Sequence, residues 1–158
     1  IDGWPVYRGK RLQPESPIFN SLHTIAQLAE FARQIRFPFS IIIRGQDEVT
    51  AITDFAGHFP VYCIRTQDRD SIRVASCVAS LRSHPQQELS VLAIYWWIRH
   101  RGVGPYPFFS DIALMKPASI LHVSGSDISE VEYIDWGNIA KNGPDTFEAV
   151  YAEVSGRK

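Results

Sequence analysis

The sequence is poor in the features that would mark it at once. It has two cysteines, one methionine and five histidines in 158 residues, and its 16 basic residues are balanced by 17 acidic ones. Two cysteines, Cys63 and Cys77, cannot make a disulfide framework, and neither lies in a Cys-x-x-Cys or Cys/His cluster. They read as small buried hydrophobes in a reducing compartment, so the expected location is cytoplasmic. The histidines are scattered, with no pair at helical spacing, which points away from a zinc site. A formal charge of −1 supplies no general positive field, so no nucleic-acid partner is expected. No apolar run approaches the roughly 18 residues of a membrane span. The opening Ile1-Asp2-Gly3-Trp4 has no basic n-region and no small-residue cleavage pattern, so no signal peptide is expected. It also lacks a leading Met, which leaves upstream sequence open. What remains is one ordinary domain. It is 45% hydrophobic and long enough to bury about 70% of its unfolded surface without metals or disulfides.

The first twenty residues are rich in turn formers, and only Pro5-Val6-Tyr7 could be extended. Asn20 or Ser21 can cap a helix. Ile25, Leu28, Ala29, Ala32 and Ile35 then recur at helical steps, and Pro38 ends the pattern. Strands follow over Phe39–Ile43, Glu48–Asp54, Pro60–Arg65 and Ser71–Ser76, joined by turns too short for crossover helices, which predicts an antiparallel meander. A short helical turn is expected over Val78–Ser83. A stronger helix is expected over Gln86–Arg101, with Leu89, Leu92, Ala93, Trp96 and His100 on one side and Gly102 stopping it. Ser119–Val123 and Glu130–Trp136 flank Gly125-Ser126-Asp127 as a hairpin, and Thr146–Val154 reads as a last helix. The order gives an α+β fold with antiparallel sheets.

Candidate chemistry is sparse. There is no Gly-x-Ser-x-Gly elbow. Cys63 sits within a predicted strand, so Cys77 at a strand end is the more open thiol and would serve a free-living hydrolase, the last-ranked reading. His58 lies in a turn, where a histidine is usually solvated, and Gly57 serves the turn itself. Tyr95-Trp96-Trp97 with Arg99-His100-Arg101 invites a nucleic-acid reading. Core aromatics with cations favouring the helix C-terminus account for it more simply.

One segment organises the chain. Val49 to Tyr62 reads VTAITDFAGHFPVY and resembles the D-x-x-G-x-x-P-L-Y strand–turn–strand of the glutaminase domain of asparagine synthetases, near the β-lactam synthetase and lasso-peptide cyclase members. Ile72-Arg73-Val74-Ala75-Ser76 with Leu81, the helix to Gly102, Phe109-Ser110-Asp111-Ile112, Lys116-Pro117-Ala118, Ile120-Leu121 and Tyr133-Ile134-Asp135-Trp136 resemble later family segments in the same order. The resemblance spans residues 18 to 136. It implies an N-terminal-nucleophile (Ntn) hydrolase-like αββα sandwich lacking the family's first strands, with 1–140 as the domain and 141–158 as a linker or the start of a synthetase domain. It also implies a terminal Cys that releases ammonia from glutamine, and a second domain that adenylates a carboxylate with ATP and magnesium.

The departures decide the functional expectation. Residue 1 is Ile, so no terminal nucleophile is present. If Asp2-Gly3-Trp4 stands at the family's Asn-Gly-Glu, Gly3 matches. Asp2, however, replaces an oxyanion-binding Asn and opposes the charge it should stabilise. Trp4 replaces a glutamine-binding Glu, and Ser21 stands where an Asp grips the substrate amine. No Ser-Gly-Gly-x-Asp loop occurs, so no cofactor is expected in this chain, and ATP and magnesium belong only to a linked synthetase domain. Asp2, Gly3 and Ser21 are therefore degenerate pocket positions, and no catalytic residue and no metal ligand is assigned. Asp54 and Gly57 are assigned to the turn. The expectation is a glutamine amidotransferase-like domain that is structural, inactive by itself, and partnered by a synthetase domain in the same or another chain or by its own copy, with a peptide as a candidate substrate. The alternative is a standalone pseudoenzyme that binds a peptide or protein through the aromatic loop Tyr106-Pro107-Phe108-Phe109. The expected core is Phe39, Ile41, Ile43, Ile52, Val61, Ile72, Val74, Leu92, Trp96 and Ile120.

Overall fold

The computed structural model describes residues 1–66, 71–82, 87–100, 107–125 and 127–135. The predicted helix over Thr146–Val154, the stretch 141–158, and residues Tyr106, Ser126 and Trp136 lie outside them. In chain order the strands are β1 (Asp2–Gly3), β2 (Val6–Tyr7), β3 (Lys10–Arg11), β4 (Phe39–Arg44), β5 (Glu48–Thr53), β6 (Tyr62–Thr66), β7 (Ser71–Ala75), β8 (Ile112–Leu114), β9 (Ser119–Ser124) and β10 (Asp127–Glu132). The helices are α1 (Ile25–Gln34) and α2 (Val91–His100), with 3₁₀ turns over Pro17–Ser21 and Val78–Leu81. The fold is α+β with antiparallel sheets, as expected.

The main sheet runs β1-β4-β5-β9-β10. Its register sets Ile41 opposite Ile52, and Ile52 opposite Ile120. Side chains alternate across a pleated strand, so these three isoleucines line one face. Leu28, Ala29, Phe31 and Ala32 of α1 pack on that face in one buried cluster. Ile42, Ala51 and Leu121 line the other face, and they cluster with Val61, Cys63, Ile72 and Val74 of the second sheet region. That second sheet runs β7-β6-β8. Its outer side holds a third cluster, in which Ile64 meets Leu81 of the second 3₁₀ turn and Ile112. The layers are thus helix, sheet and sheet, with the 3₁₀ turn over Val78–Leu81 on the outer side of the second sheet.

Several expectations need correction. The four central strands are not one meander. β4 and β5 pair, and β6 and β7 pair, but β5 finds its other neighbour in β9 and β6 in β8. The segment between Thr53 and Tyr62 therefore carries the chain from one sheet to the other. The cap of α1 is Thr24, not Asn20 or Ser21. The Thr24 hydroxyl accepts the Gln27 N–H at 3.2 Å, and the Gln27 side chain returns a bond to the Thr24 N–H at 3.0 Å, a reciprocal capping box. Asn20 and Ser21 belong to the preceding 3₁₀ turn. The last strand begins at Asp127, not Glu130, because Asp127 already pairs with Ser124 across a tight turn in which Gly125 has φ +58°. Strand β8 follows from its pairing with β6 rather than from any local alternation.

The core expectation holds for Phe39, Ile41, Ile52, Val61 and Ile120, all at most 2% exposed. Ile43, Ile72, Val74 and Trp96 are half-buried. Leu92 is 63% exposed and is a correction. On α2 only Ala93 is buried, because the helix meets the rest of the fold at its N-terminal end. There the Ser90 N–H donates to the Phe108 carbonyl at 2.8 Å, and Leu89 bridges Phe109. The expected exposed aromatic loop is also corrected. Phe108 and Phe109 are half-buried, and Phe109 packs in the third cluster with the Arg82 guanidinium 5.4 Å from its ring.

Candidate functional site

The Asp-x-x-Gly-x-x-Pro segment forms the corner at which the chain leaves the first sheet. The Asp54 N–H still bonds the Phe39 carbonyl at 3.1 Å, as in a strand. Its carboxylate, fully buried, then gathers donors around it. It accepts the Phe39 N–H at 3.1 Å, the Ala56 N–H at 2.8 Å and the His58 N–H at 3.2 Å, and the His58 Nδ1 lies 3.0 Å away. Its carbonyl accepts from Gly57 at 3.2 Å and from Ala118 at 2.9 Å. A buried carboxylate is tolerable only when its lone pairs are filled in this way. Gly57 sits at φ +65°, and a Cβ there would meet the Pro117 ring at 3.2 Å, so the turn needs glycine on both counts. Asp54 thus ties the start of β4, the corner itself and the residue before β9 into one knot.

The knot continues outward. The Thr53 hydroxyl donates to the Lys116 carbonyl at 2.7 Å and accepts the Ser119 N–H at 3.1 Å. The buried Tyr133 hydroxyl donates to the Thr53 carbonyl at 2.7 Å, while its backbone N–H bonds the Ala118 carbonyl at 2.8 Å. Burial, and secondarily the nearby Asp54 charge, push the Tyr133 phenol well above its ordinary value, against a smaller pull from Arg33. An Asp–His pair is the orienting half of a hydrolytic triad. Here both the His58 backbone N–H and its Nδ1 are turned onto the Asp54 carboxylate. The pair is a clamp on a turn.

Asp2, Gly3 and Ser21, the positions expected to form a degenerate pocket, make local contacts. Asp2 reaches the Ser40 hydroxyl at 3.4 Å. Gly3 has φ +88°, and a Cβ there would lie 2.3 Å from the Pro38 carbonyl oxygen, so backbone conformation and packing both call for glycine. The Ser21 hydroxyl donates to the Ile18 carbonyl at 2.7 Å within its own 3₁₀ turn. Trp4 is exposed, with Arg11 over its ring. Asp2, Gly3 and Ser21 line neither of the two cavities described next. Cys77 is exposed and Cys63 half-buried. Burial, and then the neighbouring Cys77, raise the Tyr62 phenol. Among the described residues no group of three His, Cys, Asp or Glu side chains could hold a metal ion, and no helix is long and apolar enough to cross a membrane.

Sequence reasoning missed one constellation. Thr50 and His122 stand opposite each other on β5 and β9, and the Thr50 hydroxyl lies 2.9 Å from the His122 Nδ1. They are separated by 72 positions in sequence, and the β5–β9 pairing that joins them has no local signal. Both line a cavity of about 290 Å³ on the α1 side of the main sheet, together with Phe19, Leu28, Ile43 and Arg44. A second hollow of about 250 Å³ shares Phe19, Asn20, Ile43 and Arg44 with it. No protein-family model matches this chain, and no curated protein matches it significantly.

Proposed function

We propose that the chain is a degenerate glutamine amidotransferase-like domain of an asparagine-synthetase-like, ATP-dependent amide-forming enzyme, serving as a structural partner to a synthetase domain. The stacking of α1 on two packed antiparallel sheets supports an Ntn-hydrolase-like αββα sandwich, in which α2 would belong to the remaining helical layer. The Asp54 knot supports a structural role for the best-matched motif, since every contact of its carboxylate is spent on the corner.

The observation that carries the reading is the face of α2. Val91, Leu92, Tyr95, Trp97 and Ile98 are each more than half exposed. A helix apolar on all sides belongs in an interior, and an exposed patch of this kind marks an interface. In this reading the face is covered by the synthetase domain, in the same or a partner chain. ATP and magnesium are bound there, and the assembly works in the cytoplasm.

The test is the full-length gene product purified from its native source. The expected result is a synthetase domain that hydrolyses ATP, attached to or stably associated with this chain, and no ammonia from glutamine. Leu92→Asp combined with Trp97→Asp should release a separate synthetase subunit, or loosen a covalently attached one to protease. Ammonia release from glutamine would overturn the degenerate reading. A native protein that is this chain alone and monomeric would favour a standalone peptide- or protein-binding module, whose exposed aromatics would be Tyr95 and Trp97 of α2.

A further inference from the structure

The main sheet has an edge that is only partly used. β1 pairs with β4 at Ser40 and Phe39 and no further, and among the described residues no other strand lies on that side of β4. On its other side β4 pairs with β5 along its whole length from Ser40 to Arg44. In an antiparallel ladder successive residues turn their N–H and C=O groups to opposite edges. The Phe39 carbonyl accepts the Asp54 N–H, and the Gly45 N–H donates to the Glu48 carbonyl, so the odd-numbered residues of this stretch face β5. The Pro38 carbonyl accepts the Trp4 N–H at 3.4 Å, so the even-numbered ones face the other way. Ile42 and Arg44 therefore direct their backbone groups to the edge that β1 leaves uncovered.

A hollow of about 250 Å³ lies along this edge, and Ile41, Ile42, Ile43 and Arg44 all line it. Side chains of consecutive strand residues alternate between faces, so a space that touches every one of them runs beside the strand rather than over one face. Phe19 and Asn20 wall it and continue into the cavity beside Thr50 and His122. The run Phe39–Ile43 is rich in β-branched residues, and an apolar strand edge of that kind is a template for pairing. The register also sorts the side chains that a new strand would bring. A residue opposite Ile43 points to the α1 face, toward Phe19. A residue opposite Arg44 shares the other face with the guanidinium, whose cross-strand neighbour on β5 is the uncharged Val49. Glu48 stands on the α1 face with Thr50, so β5 sets no carboxylate beside Arg44 on its own face.

We propose that the open β4 edge binds an extended peptide segment of a partner protein, antiparallel to β4 and in line with β1, with a carboxylate side chain opposite Arg44 and apolar β-branched residues opposite Ile43 and Ile42. Main-chain bonds to Ile42 and Arg44 supply the affinity, and the cross-strand charge pair supplies the selectivity. The β1 ladder sets the direction and register of the added strand, and Arg44 sets its charge. A second copy of the same edge fits less well, because β4 reads FSIIIR and has no acidic residue to offer. The proposal rests on none of the reasoning about α2.

The experiment is a nuclear magnetic resonance titration of the intact chain with the peptide acetyl-Thr-Glu-Val-Val-amide, which sets its Glu opposite Arg44 and its two valines opposite Ile43 and Ile42. Saturable shifts and slowed hydrogen exchange at the Ile42 and Arg44 amides are expected at about 1–10 mM peptide. The Ile41 and Ile43 amides, which face β5, should keep their exchange rates. Exchanging Glu for Lys in the peptide should weaken binding about fivefold, and Arg44→Glu, a change at an exposed position, should invert that preference. N-methylation of the second valine, whose N–H faces β4, should abolish binding, whereas N-methylation of the first, whose N–H faces away, should leave it in place. No saturable shift would overturn the proposal, and so would equal effects of the two N-methyl groups or equal affinity for the Glu and Lys peptides. Shifts confined to Thr50 and His122 would put the peptide in the neighbouring cavity and overturn the edge. Protection of Ile42 and Arg44 that grows with protein concentration alone would put a second copy there and overturn the peptide.

Discussion

The two α-helices are each ten residues long, yet they are bound to the fold in opposite ways. Helix α1 has a clean stripe: Leu28, Ala29, Phe31 and Ala32 are buried against the main sheet, and its outer face is polar. Helix α2 is apolar from Val91 to Ile98 and buries only Ala93. The first pattern is that of a helix whose partner is this domain. The second is that of a helix whose partner is something more. Apolar area removed from water is worth about 25 cal/mol per Å², so α1 already holds its stabilisation and α2 still has most of its own to gain. The same contrast runs through the sheets. The Asp54 corner, next to the α1 side, satisfies its buried carboxylate from several directions, whereas the segment leading into α2 is held by the Ser90–Phe108 backbone bond and the Leu89–Phe109 bridge.

The largest effect should come from breaking the well-held side. Asp54→Ala strands the Phe39, Ala56 and His58 amides at once and frees His58, so a loss of about 3–5 kcal/mol is expected. Urea unfolding of the variant measures it. A loss under about 1 kcal/mol would mean that water satisfies the corner, and that the motif is not the knot described here.

A matched pair of leucines sharpens the comparison. Leu28 is 2% exposed on α1 and Leu92 is 63% exposed on α2. Leu28→Ala should cost about 2–4 kcal/mol through lost burial and the cavity left behind. Leu92→Ala should change stability by less than about 0.5 kcal/mol in the isolated chain, and more only in the presence of whatever covers α2. Equal costs in the isolated chain would show that α2 is packed as α1 is, and the contrast would fall.

How much of this could be read beforehand follows the same division. The strand pairs β4–β5, β6–β7 and β9–β10 are local in sequence, and β-branched runs between turn residues reveal them. The stripe of α1 is equally local. The Thr24-x-x-Gln27 box is also written in the sequence, but the earlier Asn20 and Ser21 are capping residues of equal rank, and only the 3₁₀ turn over Pro17–Ser21 decides between them. The assignment of strands to sheets is not local. Nothing near Thr53 or Tyr62 states that β5 will pair with β9 and β6 with β8, so the corner read as one more hairpin turn. The resemblance did single out Asp54 and Gly57, and their assignment to the turn agrees with the hydrogen bonds they make. The Thr50–His122 pair depends on the same distant register and was illegible for the same reason. The expected burial of Leu92 failed because periodicity says which residues share a helical face but not whether anything lies against it.

The buried phenol of Tyr133 tests the corner by pH. Its native value is raised above the unfolded 10.0 by burial first and Asp54 second. The folded state therefore holds the proton where the unfolded state loses it. The contribution is fully present below pH 10 and declines as pH rises toward the native value. Tyr133→Phe should cost about 1–2 kcal/mol at neutral pH through the lost bond to the Thr53 carbonyl. It should also flatten the fall in stability above pH 10 that the wild-type chain shows. Denaturant midpoints measured on either side of pH 10 read both effects, and parallel profiles for the two proteins would remove Tyr133 from the knot.

The smallest difference lies at the two helix starts. On α1 the bonds of the capping box run in both directions, with the Gln27 side chain also accepting the His23 N–H at 3.0 Å. On α2 the Ser90 hydroxyl accepts the Ala93 N–H at 3.3 Å, with no reciprocal side chain described. Thr24→Ala should therefore cost about 1 kcal/mol, and Ser90→Ala about half of that. Global unfolding would report the first fully, because α1 cannot detach without exposing Leu28 and Phe31. The second should appear mainly as faster hydrogen exchange at the first amides of α2, because that helix can fray while the sheets stay intact. If Ser90→Ala lowered the global midpoint as much as Thr24→Ala, α2 would be an integral layer of this domain, and its exposed face would need no partner to explain it.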